Sequence, residues 1–87
     1  MDAQAKHETV PLWDGTQTRF RFSNGYGASV VCHEFSYGGR EGFYEIAVLD
    51  RNGEITYSTP ITGDVLGWIP EIEIDSWLQQ IAALEQN

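Results

Sequence analysis

The sequence has little of what catalysis and metal binding draw on. One cysteine, Cys32, excludes an internal disulfide and a cysteine-based zinc site, and a reducing cytoplasm is the expected compartment. Two histidines, His7 and His33, come without a third ligand at a matching spacing, so no metal and no other cofactor is expected. Lysine and arginine number 5 against 13 acids, a formal net charge of −8. That balance argues against direct nucleic-acid binding, which needs cations to meet phosphate, and against an anionic membrane surface. No apolar run reaches transmembrane length, and the start Met1-Asp2-Ala3-Gln4-Ala5-Lys6 lacks the apolar core of a signal peptide.

What is present is globular. A chain of 87 residues, 41% hydrophobic and 13% aromatic, makes one domain with a single modest core. The most apolar, β-prone run is Gly42-Phe43-Tyr44-Glu45-Ile46-Ala47-Val48-Leu49-Asp50, closed by turn signals on both sides, and the other segments are expected to pack on it or pair with it. Residues 1–9 are polar and without period, which predicts a flexible tail before a domain spanning 10–87. Val10-Pro11-Leu12-Trp13 is a short extended apolar patch ending at Asp14-Gly15.

Thr18-Arg19-Phe20-Arg21-Phe22 alternates as a strand with one buried face. Asn24-Gly25-Tyr26-Gly27 is turn chemistry, and Ala28 to Phe35 is the returning strand. With a loop of two or four residues, Phe20 and Phe22 share a face with Ser29, Val31, His33 and Phe35. Asp50-Arg51-Asn52-Gly53 then predicts a tight hairpin that sets Val48 beside Tyr57. Thr62 to Trp68 reads as loop. Ile74, Trp77, Leu78, Ile81 and Leu84 form a helical apolar stripe after Pro70, with Ile72 off it and a start nearer Asp75 as the alternative. The expected fold is α+β, a four-stranded antiparallel meander with one C-terminal helix on one face.

No catalytic constellation emerges, and no enzymatic activity is expected. Cys32 and His33 are strand neighbours and point to opposite faces, so they cannot act as nucleophile and base. The glycines around Tyr26 match no phosphate-binding loop and lie outside any βαβ unit. Residues 50–87 hold seven acids and one base, so Glu71, Glu73 and Asp75 are candidates for an acidic surface that competes for a basic groove. Tyr26 and Trp68 are candidate loop anchors beside it. A second surface is expected on the outer sheet face, where Val30, Cys32, Phe43, Ala47 and Leu49 would form an apolar patch covered by residues 10–13, by a partner or by a second copy in a homodimer.

Three runs carry a resemblance: Phe20 to Val31, Tyr44 to Leu49 and Thr59 to Trp68. Together they are similar to a family of small phage and prophage proteins, over about residues 18–84. The resemblance brings no catalytic or ligand residue. It implies an accessory protein, expressed in the bacterial host, that binds and modulates a host protein. An inhibited nucleic-acid-handling or defence protein is the expected target, with homodimeric assembly as the alternative.

Overall fold

In the computed structural model, which describes residues 6–85, five strands cross one antiparallel sheet in chain order: β1 (Lys6–Leu12), β2 (Gly15–Arg21), β3 (Gly27–Cys32), β4 (Tyr44–Leu49) and β5 (Leu66–Ile69). One helix, α1 (Ile74–Ala82), follows. The class is the expected α+β with an antiparallel sheet and a C-terminal helix, but with five strands instead of four. The added strand is β1. It pairs with β2 from Lys6 opposite Arg21 to Leu12 opposite Gly15, and so takes in residues 6–9, read from sequence as tail. The rest of that predicted tail, residues 1–5, lies outside the described residues.

Both Asn-Gly hairpins close one residue wider than a two-residue turn. In the first, the Phe22 amide donates to the Tyr26 carbonyl at 2.8 Å and the Gly25 amide to the Phe22 carbonyl at 3.2 Å. In the second, the Asp50 amide donates to Glu54 at 2.7 Å and Gly53 to Asp50 at 2.9 Å. A two-residue type I′ turn would need positive φ at Asn and Gly alike, but only Gly25 (91°) and Gly53 (81°) have it. Each loop is therefore a type I turn followed by a left-handed glycine. The odd loop length shifts the register by one residue, which exchanges the faces of the following strand. Phe20 faces Ala28, and Arg19 faces Ser29. The expected companions of Phe20 and Phe22, Ser29 and Val31, lie on the opposite side.

The second hairpin forms where predicted but one residue out of the expected register, with Val48 meeting Thr56 in place of Tyr57, and is then interrupted. Ile55 bridges Leu49 and the Thr56 amide reaches Val48 at 2.9 Å, after which the chain leaves the sheet. It returns at Leu66 to pair with Ile46 on the same edge of β4. The edge strand is thus split by an excursion of residues 57–65, and Leu66–Ile69, expected as loop, is its second half.

The core lies between the sheet and α1. Phe20, Phe22, Ala28, Val30, Ile46, Val48 and Ile69 meet Leu78 and Ile81 from the helix. Ile74, Trp77 and Leu84 complete the stripe read from the sequence, and Ile72 is 90% exposed. Asn24 locks the helix to the first hairpin: its Nδ2 donates to the carbonyls of Ile81 at 2.9 Å and Leu84 at 3.1 Å. These carbonyls lie at the helix C-terminus, where the Ile81 oxygen accepts from the Leu84 amide at 3.2 Å as well and the Leu84 carbonyl lies past the last helical residue. The Asn24 Oδ1 accepts from the Tyr26 amide, so one side chain shapes the turn and caps the helix.

Candidate functional site: the aromatic end of the sheet

The β1–β2 turn, the β3–β4 connection and the β5 bulge meet at one end of the sheet. Trp13 and Asp14 form the two-residue turn between Leu12 and Gly15, with Trp13 at φ 52°. A positive φ on a bulky residue is a strained conformation. Its indole meets His33 edge-on at 4.6 Å and Phe35 at 5.0 Å between ring centroids. Asp14 Oδ1 accepts from the Glu34 amide at 2.8 Å, tying the turn to the start of the connection.

His33 is buried and holds this loop through Nδ1 and its backbone groups. Its Nδ1 accepts from the Phe35 amide at 3.1 Å, so the proton of the neutral ring sits on Nε2. The Ser36 hydroxyl accepts from the His33 amide and donates to its carbonyl, at 3.0 and 2.9 Å. Cys32 reaches the Gly39 carbonyl through Sγ at 3.7 Å. The pair builds the loop.

Trp68 sits in the bulge. Between the pairs Tyr44–Ile69 and Ile46–Leu66, Gly67 and Trp68 together oppose Glu45. Trp68 takes φ 55°, and its amide donates to the Tyr37 carbonyl at 3.3 Å. Its ring lies over Gly38 and packs on Phe43 at 5.8 Å. A Cβ on Gly38 would come within 2.8 Å of Phe43 Cβ and 3.0 Å of the Trp68 ring, at a φ of 82° that side chains avoid. Tyr37 stacks in turn over Gly67, its amide held by Glu45 Oε1 at 3.0 Å. Beside Tyr37 and Trp68 is a hollow of about 410 Å³, bordered by Glu34, Arg40 and Glu41.

The outcome is a set of large rings turned to solvent: Trp13 is 65% exposed, Phe35 64%, Tyr37 59% and Trp68 56%. Acids surround them. Asp14, Glu34, Glu41, Glu45 and Glu71 belong to the same end, with Arg40 as the cation among them. The Tyr44 phenol registers this setting, since burial first and then the charges of Glu71 and Cys32 raise its pKa above the ordinary 10.0.

The predicted site residues divide. Trp68 belongs to the aromatic end. Glu71 and Glu73 form a 3₁₀ turn directly after β5, and Asp75 opens α1; all three are exposed and make no capping hydrogen bond. Tyr26 is at the opposite end, half-buried against the core, with its carbonyl and amide spent inside the first hairpin. The predicted outer patch is not one surface. Val30 lies in the helix-covered core and Cys32, two residues on, shares its side; Ala47 and Leu49 are buried on the other side, and Phe43 packs on Trp68. The one-residue register shift is the reason. Trp13, Phe35 and Tyr37 were not among the predicted binding residues. Their signal was present in part, because a tryptophan on a two-residue turn is too large to leave wet without cause.

Fold and site together define a small α+β meander that presents strained, exposed aromatics in an acidic setting. Among the described residues, no group of three or more His, Cys, Asp or Glu side chains is placed to hold a metal. No helix there is long and apolar enough to cross a membrane. No protein-family model, curated protein or solved structure matches the chain.

Proposed function

We propose that this protein is a non-enzymatic binding module whose working surface is the aromatic end of the sheet, and that its partner is a protein carrying a basic face. The observation that carries this reading is the exposure of Trp13, Phe35, Tyr37 and Trp68 together at one end, two of them on positive φ. Aromatic side chains anchor protein interfaces because they bury a large area at low conformational cost. The acids around them, continued by Glu71, Glu73 and Asp75, complement lysine and arginine on the other side. A bacterial host protein is proposed for that role, in line with the phage-like reading of residues 18–84. A basic groove made for nucleic acid is the surface such a rim matches.

The test is affinity capture from bacterial lysate at low and high salt, run in parallel with a Phe35→Ser, Tyr37→Ser double variant. The variant gives up the Phe35 ring contact to Trp13 and the packing of Tyr37 on Gly67, so a cooperative thermal melt confirms that it is folded before capture is compared. The expected result is one stoichiometric basic protein, released by salt and lost with the double variant. Undiminished capture by the variant removes the aromatic end from the account. A chain that dimerises through these rings and captures nothing replaces the reading with self-assembly.

A further inference from the structure

We infer that the sheet face away from the helix carries a second, separate site, which binds a phosphate group between Lys6, Arg19 and Arg21. The chain has 5 cationic side chains, and these three project from neighbouring positions of β1 and β2. Lys6 is the cross-strand partner of Arg21, and Arg19 follows two residues away on the same face. Like charges directly opposite one another destabilise a strand pair. A sequence with 13 acids had ready means to avoid that arrangement.

The geometry behind the cations is that of a receptacle. Arg21 is in register with Gly27 and then Leu49, and Arg19 with Ser29 and then Ala47. Gly27, Ser29 and Ala47 give this face a floor of small residues beside the long arginine side chains. The hollow bounded by Lys6, His7, Arg19, Phe20, Arg21 and Leu49 measures about 290 Å³, near the lower limit of ligand pockets.

Both arginines are also held in place. Arg19 Nη2 donates to the Gly53 carbonyl at 2.7 Å and Arg21 Nη2 to the Arg51 carbonyl at 2.8 Å, so the second hairpin tip fixes the two guanidiniums from above. Each guanidinium has five N–H donors in a planar fork, and the donors left over suit the paired oxygens of a phosphate. Glu8, opposite Arg19 and also lining the hollow, offsets one positive charge and leaves the Lys6–Arg21 pair to meet a dianion. The hollow is larger than one phosphate, and Leu49 supplies apolar wall, which favours a phosphomonoester over free phosphate.

The experiment is a titration of the full chain, followed by amide and arginine side-chain NMR, with inorganic phosphate in one arm and phenyl phosphate in the other. Sodium chloride at matched ionic strength is the reference. We expect saturable shifts at residues 6, 19 and 21, with a Kd on the order of millimolar for phosphate and tighter binding of the ester. Tighter binding of inorganic phosphate reassigns the site to the free ion, and shifts reproduced by chloride overturn it. Lys6→Gln alters a side chain without a structural hydrogen bond here and should weaken binding about fivefold at unchanged melting temperature. Glu8→Gln should tighten binding by a similar factor, and Arg40→Gln, at the other end, should leave it unchanged. Equal weakening by Arg40→Gln and Lys6→Gln would reduce the effect to net charge and overturn the site.

Discussion

At one end of the sheet, positive φ falls on glycines alone, Gly25 at 91° and Gly53 at 81°; at the other, Gly38 at 82° and Gly42 at 83° share it with Trp13 at 52° and Trp68 at 55°. Glycine bears that conformation freely, whereas a side chain there costs about 1–2 kcal/mol. The hairpin end is thus built for folding. Its glycines relieve strain, and the Asn24 side chain caps the helix. The aromatic end retains strain and turns its rings outward, an arrangement that detracts from stability and serves contact. Strain kept where a side chain is displayed points toward binding.

Four changes test that contrast. Gly38→Ala should have the largest effect. The added methyl group meets Phe43 and the Trp68 ring at a left-handed φ, so a loss of about 3 kcal/mol is expected in denaturant unfolding, with Trp68 fluorescence displaced. Asn24→Ala acts at the opposite end and should cost about 2 kcal/mol by removing the side-chain donor shared by the Ile81 and Leu84 carbonyls and the acceptor of the Tyr26 amide. Hydrogen exchange should then rise in the last turn of α1 and leave the β3–β4 connection unchanged. If both ends loosen together, they are one mechanical unit and the contrast fails.

Tyr44 gives a smaller, pH-dependent effect. Its raised pKa means that the folded chain holds the phenol proton more tightly than the unfolded one. The stabilisation is complete below 10.0 and is lost as pH rises through the folded-state value. Ring-carbon NMR should place the Tyr44 midpoint above those of free tyrosines. Glu71→Gln should lower it, because that carboxylate is among its causes. The smallest effect on stability, and the sharpest on the comparison, is expected of Trp13→Gly. Relief of strain, about 1–2 kcal/mol, offsets ring contacts to His33 and Phe35 worth about as much, so the melting temperature should barely move. Partner capture should fall more than about tenfold, in keeping with loss of an interface anchor. A large destabilisation with intact capture would make Trp13 structural.

How much of this was legible in the sequence depended on whether the signal was local. The helix stripe, the alternation of β2 and the run from Tyr44 to Leu49 declare themselves through period and β propensity, and they stand as read. The Asn-Gly turns were visible, but their loop length was not. The same dipeptide serves a type I′ turn and a type I turn with a left-handed glycine, and the choice moved Val30 into the core. Of β1, only the extended patch from Val10 was visible, because an exposed edge stretch such as Lys6-His7-Glu8-Thr9 buries too little to show a pattern. The aromatic end is assembled from residues 13, 35, 37 and 68, distant in sequence, and only the sheet brings them to one side.

Strand order has a further consequence, for the way the chain is made. Each strand pairs only with its predecessor and successor, so β1, β2, β3 and β4 can assemble as a series of short closures, each paying little loop entropy. Such a topology favours rapid folding for a sheet-rich protein, and it suits growth from the N-terminus during synthesis. The 57–65 excursion is the longest delay between successive pairings at the β4 edge, and α1 comes last. The amide of Asn24, formed early in the first hairpin, is waiting when the helix end arrives, so its closure marks the completed molecule.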